Sequence, residues 1–375
     1  MKSRFANILL LIGSTITCLV LLDGAFRFYE GQVMTASYHP DGPVVNLQGL
    51  NYNDSSVPKA RQDSEFRILS FGDSFCHAIV QFPASYNGVA QALLSRPKRP
   101  VRIVNFGEPS SSFPQYIAAM ANWRGQIAHD ALLVNIFLGN DLSEAARGEV
   151  PDDGVINRVL GDNFVDVQTG RKRMSHVPRL FPLRMADYAY AHYLCATEGQ
   201  FVLKDVPPPY THALGPLDDA SFQRVAARHL EACDPQALGL LKRGYEGVAA
   251  LGRYLAGEMA RGVKVLVMLS PAEVQVNDAL FDRVTARMNA IPARFDRDLP
   301  NRLAAQALET AAPGIPVLDL LPVLRRAMDA GVNPYYPMET HWNVEGNSVA
   351  AQALAEWIEA NWLADSPAPQ LAGGQ

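Results

Sequence analysis

Strands that are apolar on both sides cannot leave either face of their sheet in water, and this chain carries several. Leu132-Leu133-Val134-Asn135-Ile136-Phe137-Leu138 and Val263-Lys264-Val265-Leu266-Val267-Met268-Leu269 are apolar almost throughout, and Val101-Arg102-Ile103-Val104-Asn105-Phe106 nearly so. A half-exposed strand would alternate apolar with polar; runs like these need cover on both faces, which a parallel sheet between helices supplies. The spacing fits. Strands near 66–71, 101–106, 132–138, 263–269 and 317–319 are separated by helical patterns over 86–94, 114–127, 235–261 and 301–310, and a last helix covers 344–362. The fold class expected is α/β with a central parallel sheet.

Length sets no obstacle, since 375 residues with 48% hydrophobic side chains can bury a substantial core. The net charge of -5 is spread thinly and no Lys/Arg cluster could track a phosphate backbone, which argues against nucleic acid as a partner. Residues 5–22 carry no charge and follow Lys2 and Arg4. That pattern predicts a signal anchor over 1–24 that holds the chain to the inner membrane and exports the remainder, because the positive flank stays on the cytoplasmic side. Residues 25–65, with turn chemistry at Pro40-Asp41-Gly42-Pro43, read as a stalk; 66–364 form the main domain, and the Pro-, Ala- and Gly-rich 365–375 a disordered tail. The strand-helix rhythm breaks over about 142–235, a Pro- and aromatic-rich insertion expected to fold over the site as a lid or substrate wall. In an exported domain Cys195 and Cys233 could pair, while Cys76 is expected to pack inward.

Polar clusters collect at successive strand ends. Gly72-Asp73-Ser74 ends the first strand, Asn105-Phe106-Gly107 the second and Gly139-Asn140-Asp141 the third, and Glu339-Thr340-His341-Trp342-Asn343 precedes the last helix. In open α/β sheets ligands bind at the carboxyl ends of the strands, so these residues face a crevice. Acyl transfer by serine needs a base, a carboxylate that orients it and donors for the oxyanion. Ser74 can be the nucleophile, His341 the base and Glu339 the orienting acid, since residues i and i+2 of an extended segment project to one side. The amides of Ser74 and Gly107 and the side chain of Asn140 can be the donors. Each has a plainer reading as well: Asp73-Ser74 and Asn140-Asp141 as helix caps, Gly107 as a tight turn, His341 as a surface histidine. His77, His129 and His192 have no ligand-spaced partners, so neither metal nor other cofactor is expected.

As an ordered set these blocks resemble those of the SGNH (GDSL-type) hydrolase superfamily, with Ser74, Gly107, Asn140 and His341 standing at its four positions. The segment His341-Trp342-Asn343-Val344-Glu345-Gly346 is similar to the exported branch that includes alginate O-acetyltransferase-like proteins. The resemblance implies a flavodoxin-like three-layer α/β/α fold and a Ser-His-acid triad. It further implies a serine esterase or O-acyltransferase acting on acyl, most plausibly acetyl, esters of a carbohydrate. Two departures stand out: no residue separates Gly139 from Asn140, and the acid is Glu339 where aspartate is usual, with Met338 at the position three before the histidine. A lipid or thioester hydrolase on the same fold, and a binding or assembly protein that has lost activity, are the rival readings.

Overall fold

The computed structural model describes residues 64–147, except 109, 110 and 126, and residues 217–364, with short pieces before and between them. Five strands make one parallel sheet: β1 (Phe66–Gly72), β2 (Val101–Gly107), β3 (Ala131–Phe137), β4 (Lys264–Ser270) and β5 (Val317–Asp319). Their spatial order is β2-β1-β3-β4-β5, that of a doubly wound sheet. Alternation sends side chains into two cores. Ile68, Ile103, Leu133, Leu266 and Met268 face one, and Leu69, Phe71, Val104, Val134 and Val267 face the other.

The helices are α1 (Ser74–His77), α2 (Tyr86–Leu94), α3 (Phe113–Trp123), α4 (Asp141–Arg147), α5 (Asp219–Leu230), α6 (Leu238–Met259), α7 (Glu273–Val276), α8 (Asp278–Arg287), α9 (Leu299–Ala311), α10 (Leu321–Asp329) and α11 (Val344–Ile358). Apolar stripes of α2, α5, α8, α10 and α11 close the first core, and those of α3, α6 and α9 the second. Helices α5, α8 and α10 were not expected from periodicity. The first of them lies inside the segment read as an insertion, so regular structure returns before residue 235. Most of that insertion, the whole of 365–375 and both Cys195 and His192 lie outside the described residues. Cys233 carries a free thiol, fully buried and pushed up to about 12 by that burial; the pairing expected with Cys195 lies outside the described residues.

Two short antiparallel pairs, Val44–Val45 with Asn51–Asn53 and Val165–Asp166 with Arg171–Lys172, stand apart from the sheet. The anchor expected over 1–24 falls partly outside the description; its described residues are helical and exposed. Among the described residues no helix is long and apolar enough to cross a membrane.

The chain runs from β1 outward to β2 and then returns to the other side of β1 as β3, so the switch point lies at the carboxyl end of β1. Close approach there depends on glycine. Gly72 and Gly107 pair in register, and a Cβ on Gly107 would stand 2.2 Å from His77 N and 2.5 Å from Cys76 C. Backbone cannot yield as a flexible side chain can, so Gly107→Ala must push β2 away from α1. The expected cost is about 1–3 kcal/mol in urea denaturation, with lower kcat as α1 shifts. An alanine variant of unchanged stability and rate would mean that the strand end is not packed this tightly.

Candidate active site

Asp73 caps α1, its Oδ1 accepting from Phe75 N at 2.9 Å, and this leaves Ser74 at the first helical position, half-buried. Behind it Phe75 is buried, stacked on Phe137 with ring centroids 4.0 Å apart. The helix-cap reading and the nucleophile reading of Asp73-Ser74 are therefore compatible: one residue caps and the next is presented.

The partner loop is built by a bridge between Tyr335 and Trp342, with Tyr336 N donating to His341 O at 3.0 Å and Asn343 N to Pro334 O at 3.1 Å. Asn343 then starts α11, its Oδ1 accepting from Gly346 N at 2.8 Å. Glu339 and His341 were expected to align because an extended segment projects i and i+2 together. The backbone is instead a turn, with Met338 in the left-handed region at φ 57°. Leu217 N, arriving from the far end of the insertion, donates to Met338 O at 3.1 Å and so braces this strained corner.

The turn brings the acid round under its histidine. Glu339 Oε1 and Oε2 lie 2.8 and 2.9 Å from His341 Nδ1, and Oε2 also accepts from His341 N at 2.7 Å. With Nδ1 as the donor, Nε2 is left as the acceptor toward Ser74 Oγ, 2.7 Å away. Three residues separated by 267 positions in the chain thus form one relay. The two halves are also tied beneath it, where Tyr86 N at the start of α2 donates to Asn347 Oδ1 of α11 at 2.9 Å.

Charges in the relay reinforce one another. Burial alone would push the Glu339 carboxyl up, but the facing imidazole and the hydrogen bonds from His341 and Thr340 hold it below the usual carboxylate range. Burial would likewise push His341 down, yet the Glu339 charge, its hydrogen bond and the more distant Asp73 hold it above the ordinary 6.5. A general base acts only when neutral, so kcat/KM should rise with pH through a value above 6.5. Removing the negative charge in Glu339→Gln should move that acid limb to lower pH. A limb that stays in place in the variant would show that Glu339 does not set the basicity of His341.

The expected oxyanion donors differ in their engagement. Asn140 is half-buried at the end of β3, where its carbonyl accepts from Ser143 Oγ at 3.0 Å. Its neighbour Asp141 is the brace: Oδ2 accepts from Phe137 N at 3.1 Å and from Tyr116 OH at 2.9 Å. Gly107 is otherwise placed. Its N–H already donates to Asn105 Oδ1 at 2.8 Å, while Asn105 Nδ2 donates to Cys76 O at 2.8 Å. Asn105 thereby clamps the end of β2 to α1, and Gly107 supplies close approach more directly than a free donor. Cys76, also on the clamp with Sγ 3.2 Å from Asn105 Oδ1, is fully buried and its thiol is pushed up to about 11, chiefly by burial. It is no competing nucleophile.

Two titratable groups beside the relay escaped sequence reasoning. His229 on α5 is buried with its ring edge-on to Phe137, centroids 5.4 Å apart. Glu273, which opens α7 just past β4, is buried, and desolvation lifts its carboxyl to about 7. Asp319, at the end of β5, is engaged elsewhere: its Oδ1 accepts from Asn301 Nδ2 at 2.6 Å and from Leu321 N at 3.0 Å. Among the described residues no cluster of three His, Cys, Asp or Glu could hold a metal ion.

Comparison with known proteins bears on this geometry. None of the curated proteins matches the chain. Solved structures with loose likeness include Axe2, an acetylxylan esterase from Geobacillus stearothermophilus, 14% identical, covering 78% of this chain and 94% of that one at a TM-score of 0.36. Another is LAE5, an alpha/beta hydrolase enzyme from the metagenome of Lake Arreo, Spain, 14% identical, covering 80% of this chain and 96% of that one, also at 0.36. Superpositions this loose carry no argument. Residues 240–374, which hold Glu339 and His341 but not Ser74, match the family described as SGNH hydrolase-like domain, acetyltransferase AlgX. By that match the chain is similar to the SGNH hydrolases and is an enzyme of the ester-hydrolysing or acyl-transferring kind.

Proposed function

We propose that the protein is an exported, membrane-anchored serine esterase or O-acyltransferase that acts on acetyl esters of a carbohydrate through Ser74, His341 and Glu339. The observation that carries this reading is the 2.7 Å contact of Ser74 Oγ with His341 Nε2, in line with the Glu339 carboxylate on the opposite ring nitrogen. Export and anchoring are supported by the uncharged 5–22 and its basic flank. The carbohydrate is the least direct element and leans on the acetyltransferase likeness of residues 240–374.

In the first half-reaction His341 takes the Ser74 proton as Oγ attacks the acyl carbon. Glu339 holds the ring in the required tautomer and stabilises the imidazolium that forms. The oxyanion is received by the Ser74 N–H and the Asn140 side-chain amide; Gly107 could join only by releasing Asn105. His341 then returns the proton to the departing alcohol, leaving an acyl-serine that water or a second hydroxyl resolves. Incubating the protein with acetylated polysaccharide, with and without an unacetylated acceptor, separates the two fates. Free acetate that keeps pace with deacetylation marks hydrolysis, and acetyl groups appearing on the acceptor mark transfer. Neither product from folded protein would overturn the reading.

A further inference from the structure

Glu273 opens α7 just past the carboxyl end of β4 and is only 8% exposed. Its Oε1 accepts from Asn277 Nδ2 at 3.1 Å, while Oε2 is buried with no hydrogen-bond partner. The wall around α7 is apolar, for Ala272, Val274, Val276, Tyr335 and Trp342 belong to one buried core. A carboxylate there would have two oxygens to satisfy and one donor to do it, so the site as built suits the protonated acid. Its place in the chain matters for the relay. Pro271, two residues before it, lends its carbonyl to Tyr335 OH at 2.8 Å, and Tyr335 is bridged to Trp342, the neighbour of His341. That bond ties the catalytic loop to the end of β4.

We propose that Glu273 is a positioning residue that keeps the catalytic loop tied down while its carboxyl is neutral and releases the loop on ionisation, so that the site works only on the acid side of that ionisation; this rests on the esterase reading above. The groups around α7 agree with a neutral resting form. Burial acts first, and the Glu339 charge on the catalytic loop adds to it; together they outweigh the Asn277 hydrogen bond and the exposed Arg283 of α8 and lift the carboxyl to about 7. Helix α5, also packed on α7, contributes the buried His229, which is pushed down to about 4 and so is uncharged near neutrality. Helix α10 contributes Arg325, which is already bound to Gln275 O and Asp298. When the Glu273 proton leaves to solvent, a charge bare on one oxygen has to reach water. The element that can yield is α7, a single turn followed by the exposed Asp278 and Ala279. Its movement draws Pro271 from Tyr335, and the turn that holds Glu339 under His341 loses a brace. Glu273 itself touches neither Ser74 nor the ester.

The test is the pH profile of kcat/KM on p-nitrophenyl acetate, from about pH 5 to about pH 8.5, for wild type, Glu273→Gln and Tyr335→Phe. In wild type the rise set by His341 should be met by a fall as Glu273 ionises, giving a narrow bell that drops about tenfold per pH unit on its alkaline side. Glutamine keeps the acceptor for Asn277 and cannot ionise, so Glu273→Gln should rise to a plateau. Tyr335→Phe leaves position 273 native and removes the tie to Pro271; its rate should be lower throughout and its alkaline fall lost. A wild-type profile without the fall, or a fall that persists in either variant, overturns the proposal. Thermal unfolding gives a readout independent of turnover. The folded chain holds the Glu273 proton more tightly than the unfolded chain, whose carboxyl titrates near 4.5, so the stability it contributes is complete below 4.5 and is lost as pH rises to about 7. Over that window Tm should fall more steeply in wild type than in Glu273→Gln. Equal slopes overturn the proposal whether or not the protein cleaves esters. A steeper slope in a wild type that cleaves no ester at any pH would refute the esterase reading alone.

Discussion

Ser74→Ala and His341→Ala should each lose about 10⁶-fold in kcat, and the double variant should be hardly slower than either single one. The reason is the 2.7 Å contact between them: each group is useless in the first step without the other. Residual rate over water would come from the oxyanion donors and from substrate binding, which neither change removes. Stability should respond differently. Ser74 is half-buried at the start of α1, where the cap comes from Asp73, so alanine there should leave the melting temperature nearly unchanged. Additive losses in the double variant would show that the two side chains do not act as one unit. Measuring kcat for the two single variants and the pair decides the point.

Glu339→Gln should fold and lose about 10⁴-fold in kcat, the effect of imposing the wrong tautomer on a catalytic histidine. An amide can present its NH2 group to Nδ1, which would then have to accept, and the proton would move to Nε2, facing Ser74 Oγ. Glu339→Asp should do far less harm, about tenfold, because the charge remains and only the reach is shorter. The reach is not trivial here. The glutamate accepts from both the ring and the backbone of His341, and the turn at Met338 is set for that length. An unaffected Glu339→Gln would leave the relay with two members. Asp319 could not then be called in without breaking its bonds to Asn301 and Leu321.

The five strands were legible within about a residue because apolar runs ending in glycine or a polar turn have no other plausible structure. Helices α8 and α10 were not. Asp278–Arg287 is interrupted by charge throughout, and Leu321–Asp329 opens on Leu-Pro and spans few turns, so neither shows a long stripe. At the site, Ser74, Glu339 and His341 could be named because turn position and chain order mark them. What Gly107 does could not be read. Its amide is taken by a side chain only two residues away, and local hydrogen bonds of that kind leave no periodic trace. His229 was hidden for a different reason. It lies in an Arg-rich helix beyond a segment with no regular pattern, and only packing against Phe137 brings it beside the relay.

The claim on which the rest depends is that Ser74 is an activated nucleophile, and labelling with a fluorophosphonate probe tests it most directly. Wild type should be modified at Ser74 alone, faster above the acid limb set by His341 than below it, and Ser74→Ala should not be labelled. Folded wild type that takes no label, or a Ser74→Ala variant that takes as much as wild type, would contradict the account.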